Sequence, residues 1–558
     1  MTPTQWAGPD NLRPASPVLW LLLALAWFAT IGVRPLLDPD EGRYSEIPRE
    51  MSATGDWVTP RLNGIKYFEK PPMQYWATAV AYSVFGVTEW TARLWACALA
   101  FLCIPLVYAF ARHLYQSHTA AVAAAAMLAI NPYFAIVGQI NILDSGFCFF
   151  LVASAFAFLR ARSSASEPSA ERRWMVLSAL ALALAVLSKG IAALVLVGGT
   201  VVIHMLVTRD LRSWRRWYLG TTVPVFLAVT VPWFLVVSAR NPEFPEFFFI
   251  HEHFARYLTD VSDRVQPWWF FGTYLLLAVL PWIPSAWRSL RDIRLRAPEP
   301  QPSSAVPQSD GRRSSQIFLL IWCAFVLLFF TSSHSKLPTY ILPIVPALAV
   351  LLAPRIAERA GEIRRAAWVM GAIVLVVAAG LIVYAARKNG VVPFPMFAWC
   401  AIAAFVAAAA AFGARGGWAV AAIGSILAIQ GLLMGYANLT PLRTAKVLVS
   451  EVRPYIGPNT ELFSVEQYRQ SVAPYLGTTL RLVKYRGELD FGLQQEQAGF
   501  IPSLERFTEE WRALSDAVAF VEPAAYDVLR SRNVPMHVVA RDARSVVVAR
   551  NSLMVSIK

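Results

Sequence analysis

Three carboxylates fall within four residues directly after the first apolar run of the chain, in Asp38-Pro39-Asp40-Glu41-Gly42-Arg43-Tyr44. Acids this dense at the edge of an apolar run suit two jobs. They take or orient protons in a reaction, or they open a solvated helix whose first amides a capping Asp satisfies. For Asp38 the capping role is preferred; for Asp40 and Glu41 the rest of the loop moves the balance toward chemistry. That loop continues into Tyr67-Phe68-Glu69-Lys70-Pro71-Pro72, which sets a carboxylate and an ammonium side by side. Asp144, in Asn141-Ile142-Leu143-Asp144, lies between two apolar runs and reads equally as a functional acid or as a helix N-cap. His251-Glu252-His253 suggests metal, with Glu69 as a third ligand if the two loops meet. Two His at i and i+2 share a strand face rather than a helix face, and their neighbours look helical, so a catalytic metal is disfavoured.

The elements that must hold these residues are membrane helices. Hydrophobic residues make up 56% of the 558 and charged residues only 15%, with a mean hydropathy of +0.47, well below the roughly 25% charge of soluble chains. Disordered, fibrous, coiled-coil and disulfide-scaffold classes are excluded together. The net charge of +14 does not point to nucleic acid, because the Arg residues sit between apolar runs. Cys97, Cys103, Cys148, Cys323 and Cys400 all lie inside such runs, where a thiol behaves as a small hydrophobe. The first run, Val18 to Val33, lacks a small-residue cleavage signal and reads as a retained span rather than a signal peptide.

Apolar runs near 18–34, 91–112, 119–138, 142–160, 174–188, 190–207, 217–239, 268–287, 317–333, 338–354, 366–387, 395–414 and 417–439 predict about 13 transmembrane helices. Most reach the roughly 20 residues that cross about 30 Å of hydrocarbon. Met73 to Gly86 is shorter and is assigned to a juxtamembrane helix. With a cytoplasmic N-terminus, this count puts the Arg-rich loops 160–173, 209–216, 288–313 and 355–365 inside, as Lys and Arg prefer. Counting Met73–Gly86 as a span would put them outside. Loops 35–90 and 240–267 and everything after 441 then face the extracytoplasmic side. The tail alternates strand-like runs (Glu461–Val465, Leu480–Tyr485, Ala517–Val521, Val538–Val548) with helical ones (Ser503–Leu514, Ala524–Arg532). The stretch from Arg296 to Ser315 reads as a cytoplasmic linker. The expected fold is an all-α polytopic membrane domain over 1–440, with juxtamembrane helices, followed by a small α/β extracytoplasmic domain over 441–558.

The first loop carries more than acids. Its pattern D-E-x-R-Y-x-E-I-P-R-E-M from Asp40, followed by Gly55-Asp56-Trp57-Val58-x-Pro60-x-Leu62-Asn63-Gly64-x-x-Tyr67-x-Glu69-Lys70-Pro71-Pro72, resembles polyprenyl-phosphate-dependent membrane glycosyltransferases. The closest form is the bacterial lipid A 4-amino-4-deoxy-L-arabinose transferases; protein O-mannosyltransferases are more distant. Leu187-Ser188-Lys189-Gly190, His253-Phe254-Ala255-Arg256-Tyr257 and Ser335-Lys336-Leu337-Pro338-Thr339-Tyr340 extend the resemblance through the membrane part. It implies a GT-C fold and transfer of a sugar from an undecaprenyl phosphate carrier to lipid A, at the periplasmic face of the inner membrane. Protein or another lipid is the alternative acceptor, and a transporter is the competing class. A transporter would carry ionisable residues at mid-span, whereas here they gather at span ends.

The resemblance also implies roles. Asp40 matches the family's catalytic acid, with Asp144 a second candidate. A lipid phosphate as leaving group needs cations near the interface, which assigns Lys70 to it; Arg256 reads about equally as a phosphate ligand or an interfacial snorkelling residue, and Lys336 and Tyr340 equally as membrane-edge anchors. Arg43, Tyr44 and Tyr67 would line the donor or acceptor pocket. Asp40 is a general base if the acceptor is a hydroxyl, and an orienting group if it is an ionised phosphate. The reaction requires no metal or other cofactor; an incidental zinc at Glu69, His251 and His253 is the one exception considered. The partners implied are the donor, lipid A and the bilayer, with no nucleic acid, and a monomer is expected.

Overall fold

The computed structural model describes residues 16–258, 264–295, 306–359, 361–389, 392–439, 443–496 and 499–550. It divides into two compact units. One comprises Met1–Ile31, Glu69–Met73 and Trp95–Gly435; the other comprises Gly32–Phe68, Gln74–Leu94 and Tyr436–Lys558.

The first unit is helical. Among the described residues, nine helices are long and apolar enough to cross a membrane, or ten if a bent pair counts as one span. Nine to ten spans of that kind make this a multi-span membrane protein. The sequence expectation of thirteen is not met by this measure, for identifiable reasons. Pro17–Phe28 and Ala192–Thr208 are helical but short. The bent pair, His118–Ile130 and Pro132–Gly138, turns by 65°. Asn131 stands there in an extended conformation and caps the second helix by accepting from Phe134 N–H at 3.0 Å. A residue before proline is pushed out of the helical region, so the run breaks where Pro132 follows. The linker expected over 296–315 lies outside the described residues for 296–305, and helix Val306–Ser332 takes in the remainder.

Small residues let these helices approach closely. In Trp418–Ala437, a Cβ added at Gly424 would lie 2.3 Å from Ala410 Cβ, and one at Gly431 would lie 2.9 Å from Ala403 Cβ. Between helices in lipid, such backbone contact supplies the dispersion that burial cannot. Polar side chains tie further backbone together. Gln430 donates to the carbonyls of Ala26 and Trp27, both at 2.8 Å, Gln139 donates to Trp27 O at 3.0 Å, and Trp27 donates to Cys97 O at 3.0 Å. All five cysteines are free thiols.

The second unit is built on a five-stranded mixed sheet. A short hairpin, β1 (Arg61–Leu62) and β2 (Ile65–Lys66), lies apart from it. The sheet contains β3 (Glu461–Val465), β4 (Arg481–Val483), β5 (Ala517–Val521), β6 (His537–Arg541) and β7 (Val546–Ala549), in the order β4-β3-β5-β7-β6. β3 pairs in parallel with β4 and β5, and β7 pairs antiparallel with β5 and β6. Alternation along β5 feeds two cores, as the period of two requires. Ala517, Ala519 and Val521 join Phe463, Phe507 and Trp511 on one face; Val518 and Phe520 join Leu448, Val449 and Val547 on the other. A strand buried on both faces reads as an unbroken apolar run, which is what Ala517–Val521 is. Helices Leu504–Ala513 and Pro523–Ser531 fall where the sequence puts them. The single strand expected over Val538–Val548 is instead the β6–β7 hairpin. Asp542 turns the chain by accepting from Arg544 N–H and Ser545 N–H, each at 2.8 Å.

This unit also contains helix Asp40–Thr54. Its acids open the positive end of the helix. Gly55, in the left-handed conformation, ends it by donating to Met51 O.

Candidate active site

Helix Asp40–Thr54 is charge-rich, yet ten of its fifteen residues are buried, so its charges must be paired inside the unit. Glu41 is gripped by Arg93, whose Nε and Nη2 donate to the two carboxylate oxygens at 2.7 Å each. Two further guanidinium hydrogens of Arg93 go to the carbonyls of Arg34 and Pro35 at 2.6 and 2.8 Å, and Arg34 approaches Glu41 at 3.3 Å. Glu41 also accepts from Leu37 N–H at 3.0 Å, fixing the entry to the helix. Asp38, a preferred cap by sequence, does not cap this helix, whose N-cap is Pro39. It accepts from Ser471 N–H at 2.7 Å and meets Arg469 at 3.5 Å. These bonds pin the first turn to the 469–471 segment. Gly42 makes the approach feasible, because a Cβ there would lie 2.5 Å from Gln470 C and Ser471 N.

Asp40 begins the helix with its side chain half exposed, while Arg43 one turn later is only 8% exposed. Arg43 Nη1 donates to Asp40 Oδ1 at 2.9 Å, and Nη2 meets Glu488 Oε2 at 2.6 Å. The rings of Tyr44 and Tyr67 flank the guanidinium at 5.8 and 5.9 Å. Burial pulls the Arg43 pKa down, but Tyr67, Glu488, Tyr44 and Asp40 outweigh it and hold the group well above its ordinary value. Glu488 also accepts from Tyr67 Oη at 3.4 Å and from the Gln470 amide. Four sequence-assigned residues, Asp40, Arg43, Tyr44 and Tyr67, therefore come together. Glu488 completes the group and was not assigned from sequence.

The first unit carries the other charged group. Lys70 Nζ meets Glu252 Oε2 at 3.1 Å and Arg256 Nη1 meets the same oxygen at 2.5 Å, so one carboxylate holds both cations. Glu69 lies 3.9 Å from Lys70 and 3.6 Å from Arg256. Burial lowers the Arg256 pKa, yet Glu252, Glu69 and Tyr340 raise it above its ordinary value. Glu252 and Arg256 sit on a π-helical segment, Glu246–Ala255, and its continuation. Such widened turns concentrate at functional sites. In the same unit Asp144, in the first turn of Leu143–Ser163 and not its N-cap, pairs with Lys189, whose ammonium stands 4.5 Å from the Tyr340 ring centroid. Lys336 donates its backbone N–H to Arg264 O at 3.1 Å. Its ammonium takes no hydrogen bond or ion pair among the described residues. His251 stacks on Phe247 at 5.1 Å and lies 3.7 Å from Glu252. The side chain of His253 lies outside the described residues, and among those described no three His, Cys, Asp or Glu come together as an ion site.

A multi-span helical protein with a small α/β domain, a half-exposed acid braced by arginine, and a pair of cations gathered on one carboxylate has the makings of a membrane group transferase. The comparisons make this specific. Residues 448–550 match the family described as Aminoarabinose transferase C-terminal domain, and residues 18–248 match that described as Dolichyl-phosphate-mannose-protein mannosyltransferase. Two curated relatives, from Pseudomonas aeruginosa (strain UCBPP-PA14) and Shewanella sediminis, bear the name undecaprenyl phosphate-alpha-4-amino-4-deoxy-L-arabinose arabinosyl transferase. Each is 33% identical, over 61% and 62% of this chain respectively. The matched stretch spans 60% and 59% of their own lengths. A crystal structure of ArnT from Cupriavidus metallidurans, bound to undecaprenyl phosphate, is 32% identical over 96% of this chain and 97% of its own, with a TM-score of 0.85. The apo structure of the same protein gives 0.81 at 31% identity. The chain belongs to the ArnT family of membrane glycosyltransferases.

Proposed function

We propose that the chain transfers 4-amino-4-deoxy-L-arabinose from undecaprenyl phosphate to a phosphate of lipid A, at the periplasmic face of the bacterial inner membrane. The observation that carries this is the likeness, over 96% of the chain, to an ArnT structure described as bound to undecaprenyl phosphate. The local geometry supports it. Lys70 and Arg256, gathered on Glu252, are suited to a lipid phosphate, and charge-assisted hydrogen bonds to it strengthen as the glycosyl bond breaks and negative charge collects on the leaving oxygen. Asp40 keeps a solvent-facing carboxylate on a braced helix start. An ionised phosphate acceptor needs no base, so Asp40 there orients the acceptor or takes the sugar's amine; a hydroxyl acceptor would give it the role of general base. The acceptor oxygen attacks the anomeric carbon, the bond to the carrier phosphate breaks, and undecaprenyl phosphate leaves. Neither metal nor organic cofactor has a part in this scheme. Thirteen spans with Arg-rich cytoplasmic loops remain our topology, with the bent pair, the two short helices and Pro168–Lys189 completing the set.

The second reading is transfer of another polyprenyl-phosphate sugar, such as mannose, to protein or lipid; the match of residues 18–248 to the mannosyltransferase family favours it over a transporter. Expression in a lipid A-producing strain that lacks its own aminoarabinose transferase separates the two. Mass spectra of lipid A should gain the aminoarabinose mass with wild type, and lose it with Asp40→Asn and with Lys70→Ala at equal membrane abundance. An unchanged lipid A spectrum with wild type, in cells shown to hold the donor, overturns the proposal.

A further inference from the structure

We infer that Glu488, supplied by the C-terminal segment, is a positioning residue that keeps Asp40 free to meet substrate by dividing the Arg43 guanidinium between two carboxylates. The inference rests on the reading of Asp40 as the reactive-site acid. Arg43 is a fork with five N–H donors, and a guanidinium meeting a single carboxylate favours two parallel hydrogen bonds. Asp40 lies one helical turn away, the spacing at which such pairs meet, so Arg43 alone would close on both of its oxygens. It does not do so. Nη1 reaches Asp40 Oδ1 at 2.9 Å, while Nη2 is held by Glu488 Oε2 at 2.6 Å. Asp40 Oδ2 takes no hydrogen bond among the described residues, and the side chain is half exposed.

Glu488 is suited to hold its prong. Its carboxylate is 13% exposed, and it is itself fixed by Tyr67 Oη at 3.4 Å and by the Gln470 amide. The guanidinium cannot drift, since Tyr44 and Tyr67 flank it and it is buried. Among the described residues its buried Nε has no hydrogen-bond partner, so a donor stands ready to reorganise if Glu488 is lost. Among the described residues Glu488 bonds to Arg43, Tyr67 and Gln470 and not to Asp40, so it acts on Asp40 through Arg43.

The test is a double-mutant cycle on Arg43 and Glu488, read in kcat and in donor KM with purified protein in lipid vesicles, undecaprenyl-phosphate aminoarabinose as donor and lipid A as acceptor. Glu488→Ala should lower kcat about 10- to 100-fold, the range in which misplacing a catalytic group is felt, with donor KM little changed. Glu488→Gln, which keeps a carbonyl acceptor for Arg43, should recover much of that loss. In an Arg43→Ala background, Glu488→Ala should cost nothing further, because residues acting as a unit are not additive. Losses that multiply across the cycle overturn the inference, as does a kcat for Glu488→Ala that is unchanged per folded molecule. If Glu488→Ala does not fold, the same cycle run with Glu488→Gln measures the coupling, and multiplying losses there overturn the inference equally. Absence of transfer by wild type overturns the functional reading and this inference with it; wild-type transfer with an additive cycle overturns this inference alone.

Discussion

Removing the Glu50 carboxyl should make the second unit less sensitive to alkali. Glu50 lies in helix Asp40–Thr54, 5% exposed, with Gly64 N–H donating to Oε2 at 2.9 Å. Its carboxyl is pushed from an ordinary value near 4.5 up to about 8. Burial is the largest cause and neighbouring Glu46 the next, while the Gly64 N–H and Arg49 pull the other way. Glu46 keeps its charge partner, since Arg49 meets both its oxygens at 2.6 and 2.7 Å. Between pH 4.5 and about 8 the native protein holds the Glu50 proton and the unfolded chain has released it. The unfolded state binds fewer protons, so stability falls as pH rises through this window. The contribution is fully present below about 4.5 and gone above about 8. Each unit costs about 1.4 kcal/mol, so going from about pH 6 to about pH 8 costs roughly 3 kcal/mol. For a unit of this size that is on the order of 6–12 °C in Tm. Fluorescence melts in detergent from about pH 5 to about pH 9 should show Glu50→Gln gaining on wild type as pH rises and levelling off above about 8. A difference in Tm that is independent of pH would refute the reasoning.

Three further outcomes follow from the same unit and its neighbour. Gly42→Ala should sharply lower the yield of folded protein, because its Cβ would lie 2.5 Å from Gln470 and Ser471 backbone atoms that have nowhere to move; size-exclusion recovery measures this. Arg93→Met leaves buried Glu41 without its main partner and should cost on the order of 3–5 kcal/mol, with part regained in Arg93→Met/Glu41→Gln, read in the same melts. Prolonged exposure to a strong chelator should leave the transfer rate unchanged; loss with chelator and recovery with zinc would move His251 and Glu69 into the chemistry.

How much of this was legible in the sequence depends on the range of the interaction. The apolar runs locate the helices because a span must be apolar along its whole length, but how many qualify as spans depends on local breaks such as Asn131–Pro132. Strand β5 is readable because burial on both faces makes Ala517–Val521 a continuous apolar run. The β6–β7 hairpin is not, because Asp542 turns the chain through side-chain bonds without a Gly or Pro to signal it. Asp40, Arg43, Tyr44 and Tyr67 were found through the first-loop pattern. Glu252 was noticed only as part of a His pair, and Glu488 carried no signal at all, since nothing local distinguishes an acid that pairs with a residue hundreds of positions away. Helix Asp40–Thr54 reads from its composition as a solvated helix; only the fold shows that Glu46 and Glu50 lie inside.

The most direct test of the central claim is transfer by the purified chain in vesicles that contain undecaprenyl-phosphate aminoarabinose and lipid A. The account expects aminoarabinose on lipid A and an equal amount of free undecaprenyl phosphate, both by mass spectrometry, with both lost in folded Asp40→Asn. Donor left intact by the wild type, or transfer that persists undiminished in Asp40→Asn, would contradict it.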